Sequence, residues 1–303
     1  MALSSILAEP RIIYRLPPGI RCPESAISVR RELSKDFGMK LIPLEFKDKI
    51  EEADGEMPDF AYDDGDSLSP GQLETLWENI QEIYISRQQS VADSPKTRML
   101  GLCKLQTIEP EILPRLPHHD LSDISSSKVN YVFALFPRSS EIGESLWWFE
   151  RERIPLGLTT DPGLSFTPLF AGVIVRDTSG NLEEATLQLS LLFAAQFEKL
   201  IRLSKLQGKE ISGYQLPLMF GWTVFGSDWH LYYAYRCIVG GKETMYVNKA
   251  IAAICPNTTT DLYYGIFKII DLVRRVATYL ENVHWPLLRD NILCPPVNLG
   301  VQA

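Results

Sequence analysis

The feature that most limits this chain's fold is a long unbroken helical stretch set between strand-like runs. Asn181 is a good helix cap, and Glu183 and Glu184 occupy the first turn, where the backbone dipole favours acids. The helix is predicted from Leu182 to about Leu206. Before it stand two compact apolar runs, Val129 to Phe136 and Ala171 to Arg176, with the composition of buried strands. After it, Leu218 to Phe225 and Trp229 to Val239 flank Gly226-Ser227-Asp228, whose turn chemistry predicts a hairpin. In the second strand Trp229, Leu231, Tyr233 and Tyr235 would share one face, with His230 on the other. A last helix begins near Thr260, carries Ile266, Ile269, Ile270, Val273, Ala277 and Leu280 as its apolar stripe, and is expected to stop before Pro286. This order describes an α/β protein with one main core; residues 137–168 give no clear pattern.

The preceding sequence reads differently. Residues 1–68 are expected to form an irregular acidic extension, because Asp48 to Asp66 holds nine acids against Lys49 and is interrupted by Gly55, Pro58 and Gly65. Asp63-Asp64-Gly65-Asp66 lacks the alternating acids and closing Glu of a calcium loop, so a mobile loop is the expectation. Residues 69–127 read as a helical segment and linker. Ser69 and Pro70 suit a helix start, and Leu73, Leu76, Trp77, Ile80, Ile83 and Tyr84 recur at helical spacing to about Gln89. A shorter helix is expected around Lys96 to Leu105, and 109–127 as surface linker. Residues 128–303 form the main domain.

Charge and cysteine usage narrow the function. The net charge is −8, and no basic run stands out that would grip a phosphate backbone; nucleic acid is therefore not an expected partner. Five cysteines, none at C-x-x-C spacing, suggest structural thiols in a reducing cytoplasm. The N-terminal residues make a poor secretory signal, and no apolar run approaches the ~20 residues of a membrane span. No nucleotide-binding, hydrolase-elbow or zinc-protease motif is present, and His118, His119, His230 and His284 show no metal-ligand spacing on one element. The last of them, His284, is expected to meet the carbonyls ending the final helix.

The segments "KVNYVFALF", "FAGVIVRD", "EEATLQLSLLFAAQFEKL", "LPLMFGWTVFGSDWHLYYAY" and "YYGIFKIIDLVRRVATYLENVHWPLL" follow one another in an order that resembles the PD-(D/E)XK nuclease-like domain of many fungal proteins, over roughly residues 120–290. The resemblance implies a restriction-endonuclease-like core, a mixed central sheet flanked by helices, behind an N-terminal extension. Nuclease chemistry on that fold needs an Asp ending one strand and a Glu and a Lys two residues apart on the next, where both share a face and help hold a divalent cation. Here the Asp position falls on Asn130. The Glu and Lys positions fall on Val175 and Asp177, or on Ile174 and Arg176 in the neighbouring register. Neither register restores the acid, while Gln188, which in the family faces the site from the helix, is kept.

Asn130, Asp177 and Gln188 are accordingly the candidate catalytic groups, with Val175, Arg176 and Trp222 as candidate substrate contacts. No metal ion and no cofactor is expected. A cleft with those walls suits a small hydrophobic organic molecule, and an enzyme of the cyclase or isomerase kind, as in fungal secondary metabolism, is the leading expectation. Two others stand beside it: a non-catalytic interaction module whose cleft is filled by its own side chains, and a nuclease with metal ligands moved to Glu183 or Glu184. The oligomeric state is left open.

Overall fold

The structure is a computed structural model that describes residues 5–6, 11–14, 22–65, 68–85, 100–104, 108–114, 131–135, 140–159, 163–178, 180–211, 215–250 and 258–293. In chain order its main elements are β1 (Ser5–Ile6), β2 (Arg11–Tyr14), α1 (Glu24–Ser34), β3 (Ile42–Pro43), α2 (Lys47–Asp54), β4 (Tyr62–Asp63), α3 (Pro70–Ile85), β5 (Leu100–Lys104), β6 (Tyr131–Leu135), α4 (Ser140–Arg151), β7 (Leu169–Arg176), α5 (Leu182–Leu206), β8 (Met219–Phe225), β9 (Asp228–Val239), β10 (Lys242–Lys249) and α6 (Tyr263–Tyr279). The sheet has eight strands in the order β1-β2-β10-β9-β8-β7-β6-β5. Two neighbouring pairs, β2 with β10 and β7 with β8, are parallel; the rest are antiparallel. The fold is therefore the expected mixed α/β sheet with helices against it.

Helix α5 has the predicted bounds, and the Asn181 side chain caps it by accepting from the N–H groups of Glu183 and Glu184 at 2.9 and 3.4 Å. It crosses from β7 to the parallel β8 and lies close on the sheet. Gly172 and Gly221 are directly opposite each other in that pair. A Cβ on Gly221 would come within 2.5 Å of Leu189 Cδ1 and 2.9 Å of the Gly172 carbonyl, and a Cβ on Gly172 would overlap Leu192. The missing side chains let the helix seat directly on the backbone. On the opposite face Tyr279, at the end of α6, packs edge-on against Phe220 at 5.2 Å and accepts from Leu218 N–H at 3.0 Å.

Several expectations are corrected. The stretch around Lys96 to Leu105 contains β5, an antiparallel neighbour of β6, in place of a helix. A strand not anticipated, β10, follows β9 through Gly240 and Gly241, both at positive φ (58° and 77°), which only glycine adopts without strain. The final helix does not stop at Pro286. It passes through a π-helical turn, Leu280–His284, into the short helix Trp285–Leu288 and a second π turn, Arg289–Leu293. His284 does not cap that helix: it is 2% exposed, with its ring edge-on to Phe170 at 4.7 Å.

The acidic segment is not a loose loop either, through its described residues 48–65. Ile42, Phe46, Ile50, Ala61 and Tyr62 are buried in a second cluster with Ile80 of α3 and Tyr263, Ile266 and Phe267 of α6. Trp77 stacks on Tyr263 at 5.2 Å, and Asp54 accepts from the Tyr263 backbone N–H at the open N-terminus of α6. Of the acids on α2, Asp48 and Glu52 are exposed, while Phe46 just before the helix and Ile50 within it, one turn apart, face the core.

Two consequences can be measured. Ile50 has no exposed surface, so Ile50→Ala is expected to cost about 2–5 kcal/mol in denaturant unfolding, and limited proteolysis should spare 48–65 in the parent and cut there in the variant. Burial pushes the His284 imidazole down to about 3. The unfolded chain then binds one more proton than the folded one between about pH 6.5 and 3, so stability falls as pH is lowered through that window. His284→Phe is expected to remove that one-proton slope in urea titrations run at several pH values.

Candidate functional site

Strand alternation puts the two registers that spacing left open on opposite faces of the sheet. Gly172 lies under α5, so Ile174 and Arg176 share that face, while Val173 and Val175 point to the other side of the sheet. Gln188 belongs to α5. The Arg176 guanidinium donates to Gln188 Oε1 and, at 2.9 Å, to the Val175 carbonyl; Gln188 Nε2 donates to Glu184 Oε1 at 3.1 Å. The face that bears Gln188 therefore carries the Ile174/Arg176 register. Ile174 has no exposed surface.

The other named residues are placed apart from this group. Val175 pairs with Val224 on the opposite face. Trp222 is opposite Val173 on that same far face, 1% exposed, tilted against Phe133 at 5.5 Å, with its indole N–H unpartnered among the described residues. Asp177 is exposed just past the end of β7, where its carbonyl accepts from Gly180 N–H at 3.0 Å. Asn130 lies outside the described residues. Arg176 and Gln188 are thus brought together, with Glu184 joined to them, but Val175 and Trp222 are separated from Gln188 by the thickness of the sheet. The expected cleft had Asn130, Val175 and Asp177 as its floor and Gln188 and Trp222 as its walls; among its described residues Val175 and Trp222 do not share a face with Gln188.

What remains has a definite chemical character. The row Arg176–Gln188–Glu184 passes donors in one direction, from a guanidinium through an amide to a carboxylate, and its formal charges cancel. The planar guanidinium fork of Arg176 suits carbonyl or carboxylate oxygens. Ile174, buried on the same face, offers no oxygen. Among the described residues no three His, Cys, Asp or Glu side chains gather as a metal-ligating group, and no helix is long and apolar enough to cross a membrane.

A second polar group escaped the sequence reading. Gln196 and Lys199, one turn apart on α5, are buried at 2% and 7% exposure beside His284. The available signal was polar residues on the inner stripe of an otherwise apolar helix; without knowing that α5 is covered on its outer side as well, nothing marks them as buried.

The elements β5, β6, β7, α5 and β8 all fall within a region that sequence comparison identifies. A family model described as the PD-(D/E)XK nuclease superfamily matches residues 72–285. No curated protein and no solved structure matches the chain. That match begins within α3, ends at Trp285 and takes in every element around Arg176 and Gln188, so the chain belongs to the PD-(D/E)XK nuclease superfamily.

Proposed function

We propose that this chain is a metal-independent member of its superfamily, a pseudonuclease whose former catalytic face serves binding and not phosphodiester hydrolysis. One observation supports the reading: on the face shared with Gln188, Ile174 is buried and offers no oxygen, and Arg176 is already bonded to Gln188. A hard dication in near-octahedral coordination needs several oxygens, and an isoleucine supplies none. The net charge of −8 further disfavours a polyanionic substrate.

A second reading is favoured by the polar row itself. A guanidinium oriented by Gln188 next to the exposed Asp177 is a means of polarising a carbonyl, so a cofactor-free cyclase or isomerase acting on a small hydrophobic molecule remains in play. The two readings part on one variant. Under either reading Arg176→Leu leaves the buried Gln188 Oε1 without its donor and lowers stability; in a binding module partner affinity falls as well, whereas in an enzyme turnover is abolished in protein that is still folded.

Titration calorimetry with millimolar magnesium or manganese is expected to show no tight site, and single- or double-stranded DNA incubated with either ion should stay intact. A tight magnesium site lost in Asp177→Ala, or metal-dependent cleavage lost in Glu184→Ala, would overturn the proposal.

A further inference from the structure

At the start of β7, roughly 20 Å along the strand from Arg176, lies a small cavity. It has about 20 Å³ of space, and its walls include Leu156, Phe170, Gln196, Lys199, Met219 and His284. Its polar groups are unusual in being deeply buried and incompletely bonded. Gln196 donates through Nε2 to the Leu169 carbonyl at 3.4 Å, but its Oε1 has no partner among the described residues. Neither ring nitrogen of His284 has another residue as its partner there; the ring's one backbone interaction is with its own main chain. Lys199 is paired with Glu109 at 3.4 Å.

Buried acceptors left empty are rare in folded proteins, and the usual resolution is an ordered water. The geometry here has a further mark. His284 closes a π-helical turn, a widened turn found often at functional positions. That turn lies between α6 and the helix carrying Pro286, and it sets the imidazole against Phe170 at the cavity wall.

The unfilled groups define what fits. A neutral imidazole offers one donor and one acceptor, and Gln196 Oε1 offers an acceptor. An O–H group answers both, accepting from the ring N–H and donating to the amide oxygen. An anion would meet the bare amide oxygen, and a cation would meet Lys199. The volume matches, since roughly 10–15 Å³ holds one water. The remaining wall, with Leu156, Phe170 and Met219, accepts an alkyl group but no second charge.

We propose that this cavity, formed where α5, the start of β7 and the π-helical turn of His284 meet, is a binding site for one small neutral hydroxylic molecule, either water or a short aliphatic alcohol. The inference does not depend on the reading of the Arg176 face, because it rests on different side chains at the other end of the strand.

The test uses the full chain. A high-resolution crystal structure is expected to show an oxygen within about 3.2 Å of both Gln196 Oε1 and a His284 ring nitrogen. Titration with methanol, followed through the Met219 methyl and the ¹⁵N-labelled His284 ring by NMR, separates the two sources. A saturable shift, lost in His284→Phe, assigns the alcohol; an ordered water without a saturable shift assigns water. Either outcome supports the site. A dry cavity in the crystal together with no saturable response in the wild-type chain overturns it, and that comparison needs no variant to fold.

Discussion

The contact on which the rest of this structure depends is the seating of α5 on the Gly172–Gly221 pair. With no side chains between helix and backbone at that point, Leu189, Leu192 and Phe193 fill the space directly over β7 and β8. The run 188–197 is buried throughout, so α5 is enclosed on its outer side as well as on the sheet side. A helix apolar all round is a core element and not a surface one. Both polar groups described above are carried by it: Gln188 toward the end of β7, and Gln196 with Lys199 two to three turns further on. Any shift of α5 would move both together.

How much of this was legible depended on whether a residue's partner was near in sequence. Helix α5 carries its own cap in Asn181, and the hairpin carries its own turn in Gly226-Ser227-Asp228, so both were readable. Strand β5 was not, because its ladder partner β6 begins at Tyr131 and the intervening residues do not set the pairing. The folded acidic segment was missed because its few apolar residues, Phe46, Ile50 and Tyr62, are diluted by charge and find their core in α3 and α6. Strand propensity and helix period are weak beside such tertiary contacts.

The candidate site failed to be legible for a sharper reason. A one-residue slip in a strand exchanges its two faces, and motif spacing cannot see the slip. Val175 and Asp177 satisfy the i, i+2 rule as well as Ile174 and Arg176 do. Only the position of Gly172 beneath α5 tells them apart. The same alternation explains why Trp222, read as a wall of the cleft, instead belongs to the core on the far face with Phe133.

The cap that Asp54 places on Tyr263 joins residues 209 positions apart, and it does not act alone. Tyr264 donates to the Gly38 carbonyl at 2.6 Å, Arg275 donates to the Glu32 and Lys35 carbonyls at 3.1 and 2.6 Å, and β2 finds its parallel partner only in β10. A ribosome delivers the early half of each of these contacts long before the late half. The segment 24–62 and the strand Arg11–Tyr14 therefore wait, with Ile50 and Ile12 uncovered, until α6 and β10 have emerged. Such a topology folds slowly and leaves apolar surface open during synthesis. The excess of like charge between Asp48 and Asp64 opposes adhesion of that segment to other acidic stretches while its α6 partners are still to come.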